Sequence, residues 1–168
     1  MIKGDRLNLV PLTENEVELI RQWRMLYKES FYDANEITPE QQQMWYKKYK
    51  ESPTDRMYII TLKNGEKIGT VALYEIDIQT RTARLGRVLL TDDGRGHGYA
   101  EEAVKLLLDY ADNALRLYRI TTDTYIDNID AIAIYARAGF KTTIRPIIIL
   151  ERINASCDRK KPVVLEVG

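Results

Sequence analysis

The chain has 168 residues, of which 45% are hydrophobic and 30% are charged, and it carries equal numbers of basic and acidic side chains. This composition predicts a single globular domain over residues 1–168. The net charge of zero argues against nucleic acid as a partner, because such binding needs a basic surface. The lone cysteine, Cys157, excludes a disulfide within the chain and is typical of a reducing compartment.

The sequence also lacks the usual signals for export or membrane insertion. The N-terminal stretch MIKGDRLNLVPL has no apolar segment of the kind found in secretory signals. The longest apolar run, IIIL at 147–150, is far too short to cross a membrane. We therefore expect a cytoplasmic protein with no membrane partner.

The first half of the chain predicts a strand, two helices and a three-strand meander. Thr13 and Thr38 each begin a helix, because each is followed three residues later by a Glu or Gln that can complete a capping box. Asn64-Gly65 is typical of a tight hairpin turn. The predicted elements are a strand over 6–12, helices over 13–27 and 38–50, and strands over 57–63, 67–77 and 83–90.

The second half predicts alternating helices and strands. Apolar residues at helical spacing from Ala100 to Ala111 predict an amphipathic helix that begins at Gly98. Gly139 is expected to end a helix that begins at Asn128. The predicted elements are these two helices, a strand over 119–126, and two last strands over 142–150 and 162–167. The order predicts an α/β (α+β) fold with a mixed sheet and helices on both faces.

The stretch DDGRGHGYAEEA, residues 92–103, places three glycines between a strand and a helix. Helix N-termini bind phosphate, and glycine lets the backbone approach a ligand closely, so the stretch favours a pyrophosphate cradle. It does not match a Walker loop, since no Lys-Ser/Thr follows Gly98. It does not match the Rossmann fingerprint either, since Tyr99 and Glu101 stand where a third glycine would be. On the glycines alone, a plain helix-start turn explains the stretch as well.

A second pattern, N-x-x-A-x-x-x-Y-x-x-x-G-F, runs from Asn128 to Phe140. Together with RGHGYA at 95–100, it resembles the GNAT superfamily of N-acetyltransferases, whose loop reads R/Q-x-x-G-x-G/A. The resemblance covers nearly the whole chain and is closest to the branch of ribosomal-protein alanine, polyamine and amino-sugar acetyltransferases. It implies a mostly antiparallel, twisted sheet in which two parallel strands splay apart to form an acetyl-CoA cleft.

The resemblance implies that acetyl-CoA is the acetyl donor and that no metal ion is needed. The loop would bind the pyrophosphate, mostly through its backbone. The strand before the loop would pair with the pantetheine amides, and Asn128 would bond to the pantetheine arm. The implied cofactor-binding residues are Val88, Leu89, Leu90, Arg95, Gly96, His97, Gly98, Tyr99, Ala100, Asn128, Ala131 and Tyr135.

The resemblance also assigns Tyr135 as the general acid that protonates the leaving thiolate; the alternative is a packed aromatic on its helix. The general base is less defined, because Arg84 stands where many relatives carry a glutamate. Glu75 and Asp77, at the end of the preceding strand, are the nearest substitutes. The alternatives are a solvated strand end and deprotonation through water. His97 is not expected to be the base, because its loop position should face solvent or a CoA phosphate.

The resemblance further implies that the loop between the first two helices walls the acceptor site. Carboxylates there would attract a cationic amine and aromatic rings could hold an ammonium or a sugar, although a solvated loop is an equal alternative. The predicted substrate-binding residues are Tyr32, Asp33, Glu36, Glu75 and Asp77.

These features predict an acetyl-CoA-dependent N-acetyltransferase that works by direct attack of a primary amine. The acceptor would be a small molecule, either an amino sugar or a polyamine, or a peptide N-terminus. The alternative is a regulatory module that binds acetyl-CoA and has weak or no transferase activity. A homodimer is compatible with the resemblance.

Overall fold

The computed structural model describes residues 1–28 and 35–141, so the strands predicted over 142–150 and 162–167 lie outside the described residues. Within that part, six strands and four α-helices follow one another in the predicted order, with a short first strand that was not predicted. They are β1 (Ile2–Lys3), β2 (Leu7–Pro11), α1 (Val17–Leu26), α2 (Pro39–Glu51), β3 (Arg56–Leu62), β4 (Lys67–Asp77), β5 (Thr82–Leu90), α3 (Tyr99–Asn113), β6 (Arg119–Thr121) and α4 (Ile129–Arg137).

The strands form one sheet in the order β1-β2-β3-β4-β5-β6. The first four pairings are antiparallel and the last, β5 with β6, is parallel. This arrangement confirms the predicted mixed, mostly antiparallel sheet. No helix in the described ranges has the length and apolar composition that a membrane span requires.

Helices cover both faces of the sheet, as predicted. On one face, α3 packs the fully buried Val104 and Leu107 against strand residues such as Leu85. On the other face, α1 and α2 pack residues such as Trp23 against Ile59. Burying one large aliphatic side chain contributes about 1.5–3 kcal/mol, so these two layers fix the frame that holds the site.

The predicted strand over 119–126 is wrong in length, because β6 ends at Thr121. Its last partner on β5 is Arg84, paired with Thr121, whereas β5 itself continues to Leu90. A segment without a neighbouring strand has no ladder for its backbone groups, so the residues after Thr121 leave the sheet. The predicted α4 start is confirmed: the Asn128 side chain caps this helix.

A bulge in β5 changes which face its side chains reach. Arg87 has a left-handed backbone, with φ of 51°, where the β4–β5 register shifts. Ala83 and Leu85 belong to the α3-side core, but Leu89 belongs to the core under α1 and α2. These odd-numbered residues would share one face in a regular strand, so the bulge moves Leu89 across the sheet.

Candidate active site

The glycine loop between β5 and α3 has the backbone shape of an anion cradle. Gly96 and Gly98 adopt φ of 77° and 76°, a left-handed conformation that is costly for residues with a side chain. Among the described residues, no heavy atom lies within 4 Å of the place that a Cβ on Gly96 would take. Gly98 is the N-cap of α3, and the first amides of a helix, here those of Tyr99 and Ala100, have no acceptor within it. These residues fit a pyrophosphate.

Arg6, the residue before β2, binds this loop through its side chain. Its Nη1 donates to the carbonyl of His97 at 2.9 Å, and its Nε donates to Glu102 Oε2 at 2.6 Å. Its guanidinium also lies 4.9 Å from the centre of the Tyr99 ring. The conformation of the loop therefore depends on a side chain that the sequence did not mark as part of the site.

Arg95, a predicted cofactor-binding residue, is held by contacts within the protein. Its Nε donates to the carbonyl of Leu90 at 3.1 Å, and its guanidinium lies 4.6 Å from the centre of the Tyr27 ring. Its Nη1 is 3.3 Å from an Asp92 carboxylate oxygen. These contacts join the loop to β5 and α1, and contact between Arg95 and acetyl-CoA stays a prediction.

The parallel pair β5–β6 opens next to the loop. The last paired residues are Arg84 and Thr121, and residues 88–90 of β5 lie beyond this point. Val88 and Leu90 pack toward the α3-side core and Leu89 is buried on the other face. A ligand along this stretch would therefore meet backbone amides and carbonyls, as the predicted pairing with pantetheine requires.

Asn128 and Ala131 form the first turn of α4 near the opening. Asn128 Oδ1 accepts a hydrogen bond from the Ala131 amide at 3.1 Å and so caps the helix. This cap gives Asn128 a structural role that is independent of any ligand. Its predicted bond to the pantetheine arm stays a prediction.

Tyr135 is half-buried on α4, with its ring packed edge-on against Phe140 at 5.6 Å between centroids. Burial raises the pKa of its phenol. The neighbouring Thr122 hydroxyl lowers this pKa, whereas Tyr74 and the negative charge of Asp123 raise it. Within the described part of the chain, the buried Thr122 Oγ1 has no hydrogen-bond partner at normal geometry. A raised pKa keeps the phenol protonated at neutral pH, which is the state that a general acid needs.

Arg84 on β5 contacts β4 and the segment that follows β6, at the point where the β5–β6 pairing ends. It forms an ion pair with Asp123, and its Nη1 is 3.6 Å from Glu75 Oε1 on β4. Its guanidinium lies 5.4 Å from the centre of the Tyr74 ring. The ring lies over Gly86, and a Cβ added to Gly86 would be 3.0 Å from a ring carbon and 3.0 Å from the hydroxyl oxygen of Tyr74. Burial raises the pKa of Tyr74, whereas Arg84 lowers it.

Arg87, at the bulge, is fixed more firmly than Arg84. Its two terminal nitrogens donate to the two carboxylate oxygens of Asp55 at 2.7 and 2.8 Å. The guanidinium also lies 4.9 Å from the centre of the Tyr74 ring and 5.8 Å from the Trp45 ring. A bidentate pair held between aromatic rings gives Arg87 a defined position between the opening and α2.

A cavity of about 440 Å³ extends from Arg87 between α1, α2 and the sheet. A cavity of this size can hold a small organic molecule. Its lining combines aromatic, apolar and charged side chains and includes Trp23, Arg24, Glu36, Trp45, Arg87 and Leu89. The cavity therefore lies where the resemblance places the acceptor.

The predicted substrate-binding residues fall in different places. Glu36 lines the cavity, and Glu75 lies at the mouth of the opening beside Arg84. Asp77 closes the β4–β5 turn: its carboxylate accepts from two backbone amides of that turn, and hydrogen bonding, mainly from Thr80, lowers its pKa. Its role in binding a substrate stays a prediction, and Tyr32 and Asp33 lie outside the described residues.

A second concavity, of about 570 Å³, lies beside β6 and the end of α4, and none of the predicted site residues lines it. Residues 1–28 and 35–141 contain no group of three or more His, Cys, Asp and Glu side chains placed to hold a metal. The expectation that no metal takes part stays a prediction.

Sequence reasoning missed four residues that the structure places at the site: Arg6, Tyr74, Arg87 and Asp123. Each reaches the site through a contact with a residue far away in the sequence, such as the pair of Arg84 with Asp123, 39 positions apart. The only local signal is Gly86, whose missing side chain makes room for Tyr74.

Comparison with known proteins confirms the resemblance to the GNAT superfamily. Residues 6–141 match the model of the acetyltransferase (GNAT) domain. The chain is 27% identical to the spermidine N(1)-acetyltransferase of Escherichia coli over 139 residues, which cover 83% of this chain and 69% of that protein. It is 29% identical to the probable N-acetyltransferase YjcK of Bacillus subtilis over 156 residues, 83% of either chain.

The fold is also similar to a solved structure. The spermidine N-acetyltransferase of Vibrio cholerae, in complex with CoA and spermine, superposes with a TM-score of 0.74 at 21% identity and covers 81% of both chains. The family match spans most of the chain, and the sheet with its parallel pair agrees with it. The chain belongs to the GNAT family and is an acyltransferase of the N-acetyltransferase type.

Proposed function

We propose that this protein transfers the acetyl group of acetyl-CoA to a primary amine of a small molecule by direct attack of the amine. The main support is the opening between β5 and β6 after the Arg84–Thr121 pair. The glycine loop follows β5, and the half-buried Tyr135 neighbours Thr122, the residue that follows β6. A thioester and an amine could meet there with an acid in reach.

Backbone groups would hold the donor. The amides of residues 96–100 would bind the pyrophosphate, and the backbone of residues 88–90 would pair with the pantetheine arm. Asn128 and Ala131 would border that arm from the start of α4. When bound, acetyl-CoA supplies the thioester whose acetyl group is transferred.

Tyr135 would act as the acid and Glu75 would be one candidate for the base. In the transfer, a bond forms between the amine nitrogen and the acetyl carbon, and the carbon–sulfur bond breaks. Tyr135 donates its proton to the departing sulfur, and the amine loses one proton to a carboxylate or to water. Glu75 is open to solvent, with 64% of its side chain exposed, so proton exchange with water is unhindered there.

The acceptor would be an amine small enough for the cavity between α1 and α2. A relative from Escherichia coli is named for spermidine, which supports a polyamine. The two tryptophans in the lining would equally suit the ring of an amino sugar. A peptide N-terminus remains an alternative acceptor, which the experiment below includes. A homodimer and a cytoplasmic location stay predictions.

The experiment is the release of thiol from acetyl-CoA, followed with a thiol dye, in the presence of different primary amines. The amines are spermidine, spermine, glucosamine, a nucleotide-linked amino sugar and a short peptide with a free N-terminus. Release stimulated by one class supports the proposal and identifies the acceptor. Binding of acetyl-CoA without release in any mixture contradicts it and favours the regulatory module.

A further inference from the structure

The peptide unit that joins His97 to Gly98 lies in the middle of the glycine loop. The glycine before it, Gly96, and Gly98 itself both have a left-handed backbone, with φ of 77° and 76°. Glycine passes between left-handed and right-handed conformations at little steric cost, so the backbone itself resists rotation of this peptide unit only weakly. The directions of the His97 carbonyl and the Gly98 amide therefore depend on contacts with other parts of the chain.

Arg6 provides such a contact. Its Nη1 donates to the His97 carbonyl oxygen at 2.9 Å, across 91 positions of sequence. In a trans peptide the carbonyl and the following N–H point in opposite directions, and the described residues contain no cis peptide bond. The amide hydrogen of Gly98 is therefore directed away from Arg6, toward the opposite side of the loop. Rotation of the peptide unit would break the bond to Arg6 and reverse the amide.

Arg6 is itself held by the first turn of α3. Its backbone amide and its Nε donate to the two carboxylate oxygens of Glu102, at 2.9 and 2.6 Å. Its guanidinium also lies 4.9 Å from the centre of the Tyr99 ring. A planar guanidinium with these contacts presents its remaining donors in a fixed direction, and one of them is the Nη1 that reaches the loop.

We propose that Arg6 is a positioning residue for the donor, which holds the peptide unit between His97 and Gly98 so that the Gly98 amide faces the pyrophosphate of acetyl-CoA. This inference rests on the proposed function. A rotated peptide unit would turn the partly negative His97 oxygen toward the phosphate and replace an attraction by a repulsion. The hydrogen bond from the cationic Arg6 also polarises the peptide unit, which makes its amide a stronger donor.

The first test is Arg6→Gln in the full chain, titrated with acetyl-CoA in a calorimeter. We expect the Kd for acetyl-CoA to rise about tenfold or more, as for loss of one hydrogen bond to a charged group. With an amine that stimulates thiol release, kcat at saturating acetyl-CoA should stay within about twofold, because only binding of the donor is weakened. A Kd equal to that of the wild type, or a fall in kcat at unchanged Kd, overturns the proposal.

Arg81→Gln is the matched control for a general loss of stability. Arg81 also donates to a distant backbone carbonyl, that of Arg116 at 2.6 Å, but it lies between β4 and β5. This variant should leave the Kd for acetyl-CoA unchanged, and thermal melts compare its stability with that of Arg6→Gln. An equal rise in Kd in both variants would mean that stability governs affinity and would contradict the role of Arg6.

Charge is controlled by the double variant Arg6→Gln with Glu102→Gln, which removes one charge of each sign. Its Kd should remain raised, because the His97 carbonyl still lacks its cationic partner. Recovery of the wild-type Kd would show that the unpaired Glu102 carboxylate repels the donor, and the proposal would fail. Arg6→Lys should bind acetyl-CoA more tightly than Arg6→Gln, because an ammonium can still donate to that carbonyl; equal affinities of these two variants would contradict it.

The proposed function and the role of Arg6 fail in different ways. A wild-type protein that does not bind acetyl-CoA, or that releases no thiol with any of the five amines, contradicts the proposed function. A wild type that binds acetyl-CoA and is matched in Kd by Arg6→Gln leaves that function intact and removes Arg6 from the donor site.

Discussion

The glycine loop after the end of β5 and the Arg84 network near its start are held in place by different physical means. In the loop, left-handed backbone at Gly96 and Gly98 and the helix start define the shape. In the network, exposed side chains of Arg84, Glu75 and Asp123 hold one another by charge. Backbone geometry tolerates few substitutions, whereas an exposed ion pair contributes only about 0–1 kcal/mol. Changes in the loop should therefore alter donor affinity, and changes near the network should alter turnover.

The largest expected effect is on turnover and comes from Tyr135→Phe. Removing the hydroxyl removes the proposed acid, so kcat should fall by about 100-fold or more. The Kd for acetyl-CoA should hardly change, because the ring and its packing against Phe140 remain. Steady-state kinetics and calorimetric titration with acetyl-CoA measure the two quantities. A kcat equal to that of the wild type would remove Tyr135 from the mechanism.

The next effect is on affinity and comes from Gly96→Ala. The new methyl group would project into the open space of the loop, in a backbone conformation that costs about 1–2 kcal/mol for alanine. We expect the Kd for acetyl-CoA to rise about tenfold, equivalent to 1.4 kcal/mol, while kcat at saturating donor stays near the wild-type value.

Gly65→Ala is the matched control for that prediction. Gly65 has a similar left-handed conformation, with φ of 91° and no described heavy atom within 4 Å of its missing Cβ, but it lies in the β3–β4 hairpin. It should destabilise the fold to a similar extent without changing the Kd. An equal rise in Kd in both variants would mean that strain, not the loop, governs affinity.

A smaller effect on turnover is expected from Gly86→Ala. The added Cβ would lie 3.0 Å from the Tyr74 ring, so the ring must shift away from β5. Tyr74 lies beneath both Arg84 and Arg87, and its displacement should lower kcat/KM for the amine by about three- to tenfold. The Kd for acetyl-CoA should be unaffected. A change in that Kd without a change in kcat/KM would contradict the assignment of donor affinity to the glycine loop and of turnover to the Arg84 network.

The smallest effect concerns pH. Because burial raises the pKa of Tyr135, the phenol stays protonated beyond the ordinary tyrosine pKa of about 10. At saturating substrates, kcat should therefore show no loss of the acid between pH 7 and 10. In Asp123→Asn, one influence that raises this pKa is gone, so the decline should begin at lower pH. A wild-type decline centred well below pH 10 would contradict the assignment of Tyr135 as the acid.

The loop, the order of elements and the start of α4 were predictable, because they depend on local signals. Glycines at alternate positions, a helical stripe of apolar residues and the Asn128 cap all act within a few residues of one another. The resemblance to GNAT proteins rests on the same segments. This explains why the fold and the conformation of the glycine loop could be anticipated together.

The acceptor side could not be predicted to the same extent. The bulge at Arg87 changes the face of Leu89, and this change depends on the register between β5 and β4. β6 stops at Thr121 because its pairing with β5 ends there, and this pairing is not visible in the local sequence. Asp123 gains its position from this early end and from its ion pair with Arg84, so it depends on contacts between distant segments.

The anchoring of the loop by Arg6 couples two regions that are 91 residues apart in the chain. Linkage is reciprocal: a ligand that orders the loop also restrains Arg6, and loosening Arg6 weakens the hold on the ligand by the same free energy. Local opening of β1 and β2 should therefore become rarer when the loop is occupied. Slower exchange of the amide hydrogens in these first two strands would then report occupancy of a site formed by the middle of the sequence.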